Sequence, residues 1–118
     1  MLELEQKEED FKWTDGGEFC KVFGETPRNK IIEEFLCGRG IDFPIISLMQ
    51  ETALDRTVVK AIVAELLAEQ LIIPTRRYRN MQFYQLNRKN PKAQELLKVF
   101  DELLRKIGKE YQIPKDSS

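Results

Sequence analysis

Residues Ile46 to Leu71 read ISLMQETALDRTVVKAIVAELLAEQL, and the order of their features decides the fold. Leu48 and Met49 are spaced for the inward face of a short apolar helix over roughly Ile46 to Thr52. Ala53-Leu54 interrupts it, and Asp55 stands where a helix N-cap accepts a backbone N–H. Val59, Ile62, Val63 and Leu66 then fall at i, i+3, i+4 and i+7, the buried stripe of a longer amphipathic helix that continues to about Glu69. Its opposite face carries Arg56, Thr57, Lys60, Ala61 and Ala64. Two helices joined by so short a break form a helix-turn-helix, whose second helix fits the major groove of a duplex.

Behind this unit the period changes from helix to strand. Leu71-Ile72-Ile73 reads as a strand, Pro74 marks an edge position, and Met81 to Leu86 returns with alternation. Between them Thr75-Arg76-Arg77-Tyr78-Arg79-Asn80 is expected to form a projecting turn, a wing too polar for any core. Arginine forks suit phosphate or a narrow minor groove, and Tyr78 can hydrogen-bond a backbone. The plainer reading is that edge strands carry charge to block aggregation. No glycine stands at the tip, so Asn80 is expected to supply the left-handed conformation there.

Outward from this centre the signals are local. Thr26 caps a helix with Pro27 at its first position; Ile31, Ile32, Phe35 and Leu36 form its apolar face, and Gly38 to Gly40 ends it. Asp42-Phe43-Pro44-Ile45 is extended because a residue before proline leaves the helical region, and it can pair with the ribbon. Asn90 caps a last helix, with Pro91 first. Ala93, Leu96, Leu97, Phe100, Leu103, Leu104 and Ile107 give that helix a wide apolar stripe. The stripe is expected to pack against a second copy of the chain, through Leu96, Leu97, Phe100, Leu103, Leu104 and Ile107; the alternative is that it folds back on its own domain. At the other end, Glu3, Glu5, Glu8, Glu9 and Asp10 against Lys7 read as a solvated tail. Asp15-Gly16-Gly17, flanked by Phe11, Trp13, Phe19 and Val22, gives a hairpin-like turn signal.

With 118 residues the chain is expected to hold one domain with a modest core. It divides into an acidic extension over 1–22, a winged unit over 23–90 and the amphipathic helix over 91–112. Its net charge of −1 conceals a local excess. From Leu54 to Lys92 there are eight basic and three acidic residues, and local charge is what meets phosphate. Histidine is absent, which removes Ser-His-Asp and Cys-His nucleophile systems, imidazole bases and H-E-x-x-H metal sites. Cys20 and Cys37 lack metal-site spacing and read as small core residues or bystanders, a disulfide or redox pair being the lesser alternative. Glu33-Glu34 and Asp101-Glu102 read as surface charges, because neighbours on a helix point apart. Neither catalysis, a metal nor a cofactor is expected. No apolar run approaches the roughly 20 residues of a membrane span, and the acidic start is unlike a signal peptide, so the expected location is cytoplasmic.

Three stretches carry a family resemblance. Val22-Phe23-Gly24-Glu25-Thr26-Pro27-Arg28-Asn29-Lys30-Ile31 resembles the opening motif of archaeal winged helix-turn-helix transcriptional regulators. Glu51-Thr52-Ala53-Leu54-Asp55-Arg56-Thr57-Val58-Val59 is similar to their turn and recognition-helix start. Pro74-Thr75-Arg76-Arg77, Phe83-Tyr84-Gln85-Leu86-Asn87 and Asn90-Pro91 look like their wing and the start of their dimer helix. The resemblance implies a mainly α fold with a small β-ribbon and a long C-terminal dimerisation helix. It implies a cytoplasmic homodimer that binds double-stranded DNA with sequence specificity and regulates transcription. Arg56, Thr57, Lys60 and Ala61 would face bases and nearby phosphates; Arg76, Arg77 and Arg79, with Tyr78, would hold the flanking backbone or minor groove. The chain departs from the pattern at Ala53, where a glycine is common, at Ala61, where a basic or aromatic residue is common, and at the missing wing glycine. The rival expectation is a winged-helix protein-interaction module without DNA binding, since a fold does not fix its use. A small-molecule effector is left unspecified.

Overall fold

Three side chains open the main helices. Thr26 Oγ1 accepts from the Asn29 N–H at 3.0 Å with Pro27 at the first helical position, starting the helix that runs to Cys37. Asp55 accepts from the Val58 N–H at 2.9 Å, and Asn90 Oδ1 from the Lys92 N–H at 2.7 Å. The computed structural model describes residues 17–110, with side chains described as far as Lys106. In chain order the elements are α1 (Glu18–Phe23), α2 (Pro27–Cys37), β1 (Phe43–Pro44), α3 (Ile45–Thr52), α4 (Arg56–Ala68), β2 (Ile72–Tyr78), β3 (Met81–Leu86) and α5 (Pro91–Glu110). The strands form an antiparallel sheet in the order β1-β3-β2, with Phe43 opposite Tyr84 and Ile72 opposite Leu86. The architecture is mainly helical with one small sheet.

The core sits between α2, α3, α4 and the inner face of the sheet. Ile31, Phe35 and Leu36 of α2 meet Leu48 of α3, then Val59, Ile62, Val63 and Leu66 of α4, and Ile72 and Leu86 of the sheet. The spacings that predicted the buried faces of α2 and α4 therefore describe the packing. Burying each such side chain contributes about 1.5–3 kcal/mol relative to leaving it in water.

Two expectations need correction. From Gly17 onward the hairpin reading gives way to a helix, while residues 11–16 lie outside the described part. Glu18–Phe23 is helical because Phe19 and Cys20 turn together into the core and Phe23 stacks on Phe19 at 4.9 Å, which spacing by four permits and a strand does not. Gly24 ends it at φ 109°, a conformation that side chains rarely adopt. The arrival of α1 also buries Glu33, read as a surface acid. Its carboxylate accepts from the Gly17 N–H at 2.9 Å, so the buried charge is hydrogen-bonded.

The second correction concerns α5. Ala93 and Phe100 are buried against the domain of the same chain, and Leu96 and Leu97 are half-buried on the same core. Arg39 grips Asp101 through two hydrogen bonds, at 2.6 and 3.1 Å. The first half of the helix thus packs on the core of its own chain; Phe100 is taken up there, and Leu96 and Leu97 are partly covered. Past Asp101 the stripe emerges: Leu103 is half-buried and Leu104 is 47% exposed. Ile107 lies outside the described side chains.

Candidate nucleic-acid interface

The turn between α3 and α4 is built by Thr52 and Ala53. Thr52 is buried; its hydroxyl donates to the Leu48 carbonyl at 2.7 Å and accepts from the Leu54 N–H at 3.4 Å. Ala53 is left-handed at φ 62°, and its N–H closes α3 on the Met49 carbonyl at 2.8 Å. A non-glycine residue in that region costs about 1–2 kcal/mol, so the turn holds its shape against local strain. Asp55 then starts α4.

Charge is divided along α4. Arg56, Thr57, Lys60, Ala61 and Ala64 are all exposed. Glu65, inside the helix, and Glu69, its C-cap, lie at its far end, where Arg28 clamps both, Glu65 at 2.9 Å and Glu69 at 2.6 Å. The Glu69 carboxylate, more than any other group, raises the Arg28 pKa above its ordinary value. Among the described residues no acid lies within ion-pair distance of Arg56 or Lys60. The first half of the helix is positive and the second half is neutralised.

The far end of α4 is fixed to the base of the ribbon and to the start of α5. Asn87 and Asn90 both donate to the Gln70 carbonyl at 2.9 Å, while Asn90 also caps α5. Arg88, Lys89 and Lys92 project from this junction, at the opposite end of the strands from the ribbon's turn. They contribute to the positive stretch seen in the sequence without joining the tip.

The wing differs from the six-residue turn expected. Thr75 to Tyr78 belong to β2, and the turn is Arg79-Asn80 alone, with Tyr78 paired to Met81. Both tip residues have positive φ, 53° and 65°, the requirement of a two-residue turn that matches strand twist. Arg79, and not only Asn80, takes the left-handed region. Tyr78 is exposed with the Arg79 guanidinium 5.2 Å from its ring. Arg77 donates to Gln82 Oε1 at 3.4 Å.

Arg76 departs furthest from expectation. The register slips between Pro74, opposite Tyr84, and Arg77, opposite Gln82, so Thr75 and Arg76 together face Phe83 in a β-bulge. The Gln82 amide donates to the bulged Arg76 carbonyl at 3.1 Å. The Arg76 guanidinium lies 4.0 Å over the Phe83 ring and donates to Asp42 through Nε at 3.0 Å and Nη2 at 3.3 Å. Thr75 Oγ1 donates to the same carboxylate at 2.7 Å. Arg76 first and Thr75 second hold the Asp42 carboxyl below the usual carboxylate range. Sequence reading treated Arg76 as free because its partner lies 34 residues away.

Of the predicted contacts, Arg56, Thr57, Lys60 and Ala61 share the exposed face of one helix, and Arg77, Tyr78 and Arg79 share the wing; Arg76 is drawn into an internal pair. Below α5, Ile32, Phe35, Leu66, Ile72, Leu86 and Leu96 line an apolar cavity of about 10 Å³, the space of a single water. Among the described residues no helix is long and apolar enough to cross a membrane.

No protein-family model and no curated protein matches the sequence. Among solved structures the chain is similar to Bordetella bronchiseptica BpsR, a protein whose DNA binding is regulated by 6-hydroxynicotinic acid. The likeness has a TM-score of 0.53 at 15% identity and covers 78% of this chain. It covers 66% of the other chain, so this protein spans about two thirds of its neighbour. At that identity the likeness shows a shared fold. The mainly helical arrangement with a three-stranded sheet is compatible with a winged-helix fold.

Proposed function

We propose that this chain is a sequence-specific DNA-binding transcriptional regulator, similar to the archaeal winged helix-turn-helix family and acting as a homodimer in the cytoplasm. The observation that carries the reading is the basic first half of α4, where Arg56 and Lys60 have no acid partner among the described residues. Arg56, Thr57, Lys60 and Ala61 would enter the major groove, with Lys60 bonding base edges and the small Ala61 permitting close approach. Arg77, Tyr78 and Arg79 would hold the flanking phosphates or minor groove. The fold shared with a DNA-binding regulator is consistent with this use. Residues 23–90 would form the reading unit. The free end of α5, through Leu103, Leu104 and Ile107, would meet a second copy and set the half-site separation.

Taken over the proposed face alone, Arg56, Lys60, Arg77 and Arg79, which have no acid partner among the described residues, give eight contacts to the duplex in a dimer. The slope of log K against log salt is then about −7. Fluorescence anisotropy on random and selected duplexes across a salt series tests this. No binding at low salt, where even non-specific association is visible, would turn the assignment to a protein-interaction module. Neutralisation of Arg76 by Asp42 is the feature that favours that rival. The neighbour's regulation by an aromatic acid does not transfer to the cavity under α5, which is too small and wholly apolar as it stands.

A further inference from the structure

The Asp42 carboxylate stands where a phosphate oxygen would stand on the wing. It accepts three hydrogen bonds from the bulge: the Thr75 hydroxyl at 2.7 Å, Arg76 Nε at 3.0 Å and Arg76 Nη2 at 3.3 Å. That side-on, two-pronged grip on a planar oxyanion is how arginine takes a nucleic-acid backbone. The Asp42 side chain is 18% exposed and that of Arg76 57% exposed, so the guanidinium remains open to solvent while its anion is held beneath. Phe83 supports it from below at 4.0 Å, and the Gln82 amide satisfies the bulged carbonyl. The bulge has a definite effect. Regular pairing would send Thr75 and Arg76 to opposite faces of β2; the extra residue brings both onto the outer face, across Phe83 from Asp42.

We propose that Asp42 is a built-in competitor for the DNA backbone, holding Arg76 away from phosphate and lowering affinity for unselected sequence. This rests on the DNA-binding reading above. A duplex that docks with ordinary geometry finds the strongest fork of the wing already occupied. Arg77 and Arg79 are left to hold the backbone, so with one phosphate contact fewer per protomer the contacts of α4 carry a larger share of the affinity. Asp42 thus sets how much sequence-independent affinity the wing contributes, without touching a base.

The test is anisotropy of the full chain on a random-sequence duplex over a salt series, comparing wild type, Asp42→Asn, Arg76→Ala and the double variant, with thermal melts to establish that each is folded. Asp42→Ser, which keeps a hydroxyl beside Thr75, serves if Asp42→Asn melts early. Freeing one phosphate contact per protomer should tighten binding by Asp42→Asn about tenfold at low salt and steepen the log–log slope by about 0.9 per protomer. Arg76→Ala alone should bind random duplex no more tightly than wild type does, and in the double variant the gain should vanish. A gain that persists without Arg76 means general charge removal and overturns the proposal. So does an Asp42→Asn protein no tighter than wild type, which leaves the DNA-binding reading intact. If neither wild type nor any variant binds, both readings fall together.

Discussion

Replacing Phe100 by alanine separates a helix that completes its own domain from one that exists to pair with a copy. Phe100 is 3% exposed, beside Ala93 and the half-buried Leu96 and Leu97, and the Arg39–Asp101 grip closes the helix down just after it. Emptying such a site costs about 3–5 kcal/mol, the transfer term together with the cavity left behind. Against a domain stability on the order of 5–15 kcal/mol this removes a large fraction. A lower bound of 3 kcal/mol corresponds to a fall in Tm of at least about 12 °C for a domain of this size. Urea unfolding followed by circular dichroism should be run at two protein concentrations roughly 100-fold apart, because association makes stability concentration-dependent. The difference between wild type and Phe100→Ala should be the same at both, since the lost contacts lie within one chain. Leu104→Ala is the internal control: at 47% exposure it should cost about 1 kcal/mol or less in the dilute sample, with any larger effect confined to the concentrated one. A Phe100→Ala cost below about 1 kcal/mol, or one that disappears on dilution, would refute the packing argument.

Other outcomes follow from the same geometry. Burial, then Glu51 and Glu33, pushes the Glu34 carboxyl up to about 7; a raised folded pKa means the native state binds the extra proton, so the contribution of this group to stability should be greatest below about pH 4.5 and fall as pH rises through 7. After discounting for partial exposure the loss is about 1–2 kcal/mol, and Glu34→Gln should flatten that slope in urea titrations between pH 5 and pH 8; an unchanged slope would assign it elsewhere. Ala53→Gly should be neutral to stabilising by about 1 kcal/mol, because relief of the left-handed strain at φ 62° opposes the entropy of a freer unfolded chain; clear destabilisation in thermal melts would contradict the assigned turn. Lys60→Ala should alter the sequences recovered from a random duplex pool, whereas Arg79→Ala should weaken all of them alike and make the salt slope shallower by about 0.9 per protomer. If the two substitutions shift the recovered sequences equally, the division between α4 and the wing is wrong.

What the sequence disclosed is what a few neighbouring residues determine. Thr26-Pro27, Asp55 and Asn90-Pro91 start helices through bonds to residues two or three positions on, so the signals were complete in the chain. The buried stripe of α4 followed from periodicity, and the extended stretch at Phe43-Pro44 that pairs with the ribbon followed from the proline at position 44. The departures are nonlocal. Glu33 was read as a surface acid because nothing near it indicates that α1 will cover it and bring the Gly17 N–H to its carboxylate. Arg76 was read as free because neither the register slip nor Asp42 is visible from Thr75-Arg76-Arg77 alone. The division of α5 at Asp101 depends on Arg39, which no helical period reports. Even the wing turn fits this division: a two-residue turn with both φ values positive ordinarily announces itself with glycine, and Arg79-Asn80 does not.

These nonlocal pairs change what the local positive excess means. Arg28 silences Glu65 and Glu69 on the second half of α4, which removes the acids that would otherwise repel a phosphate backbone along the helix. Asp42 silences Arg76, which removes a cation from the wing. The two effects nearly cancel in net charge but act in different places. One leaves the first half of α4 as a positive face with no opposing acid above it; the other leaves the wing with its weaker contacts. In a homodimer the Asp42 pair alone lowers the greatest number of phosphate contacts from ten to eight, and the expected salt slope from about −9 to about −7. Such a protein would hold unselected duplex loosely and depend on α4 for its preference. The distribution of paired charges, more than their sum, fixes how strongly base contacts must discriminate.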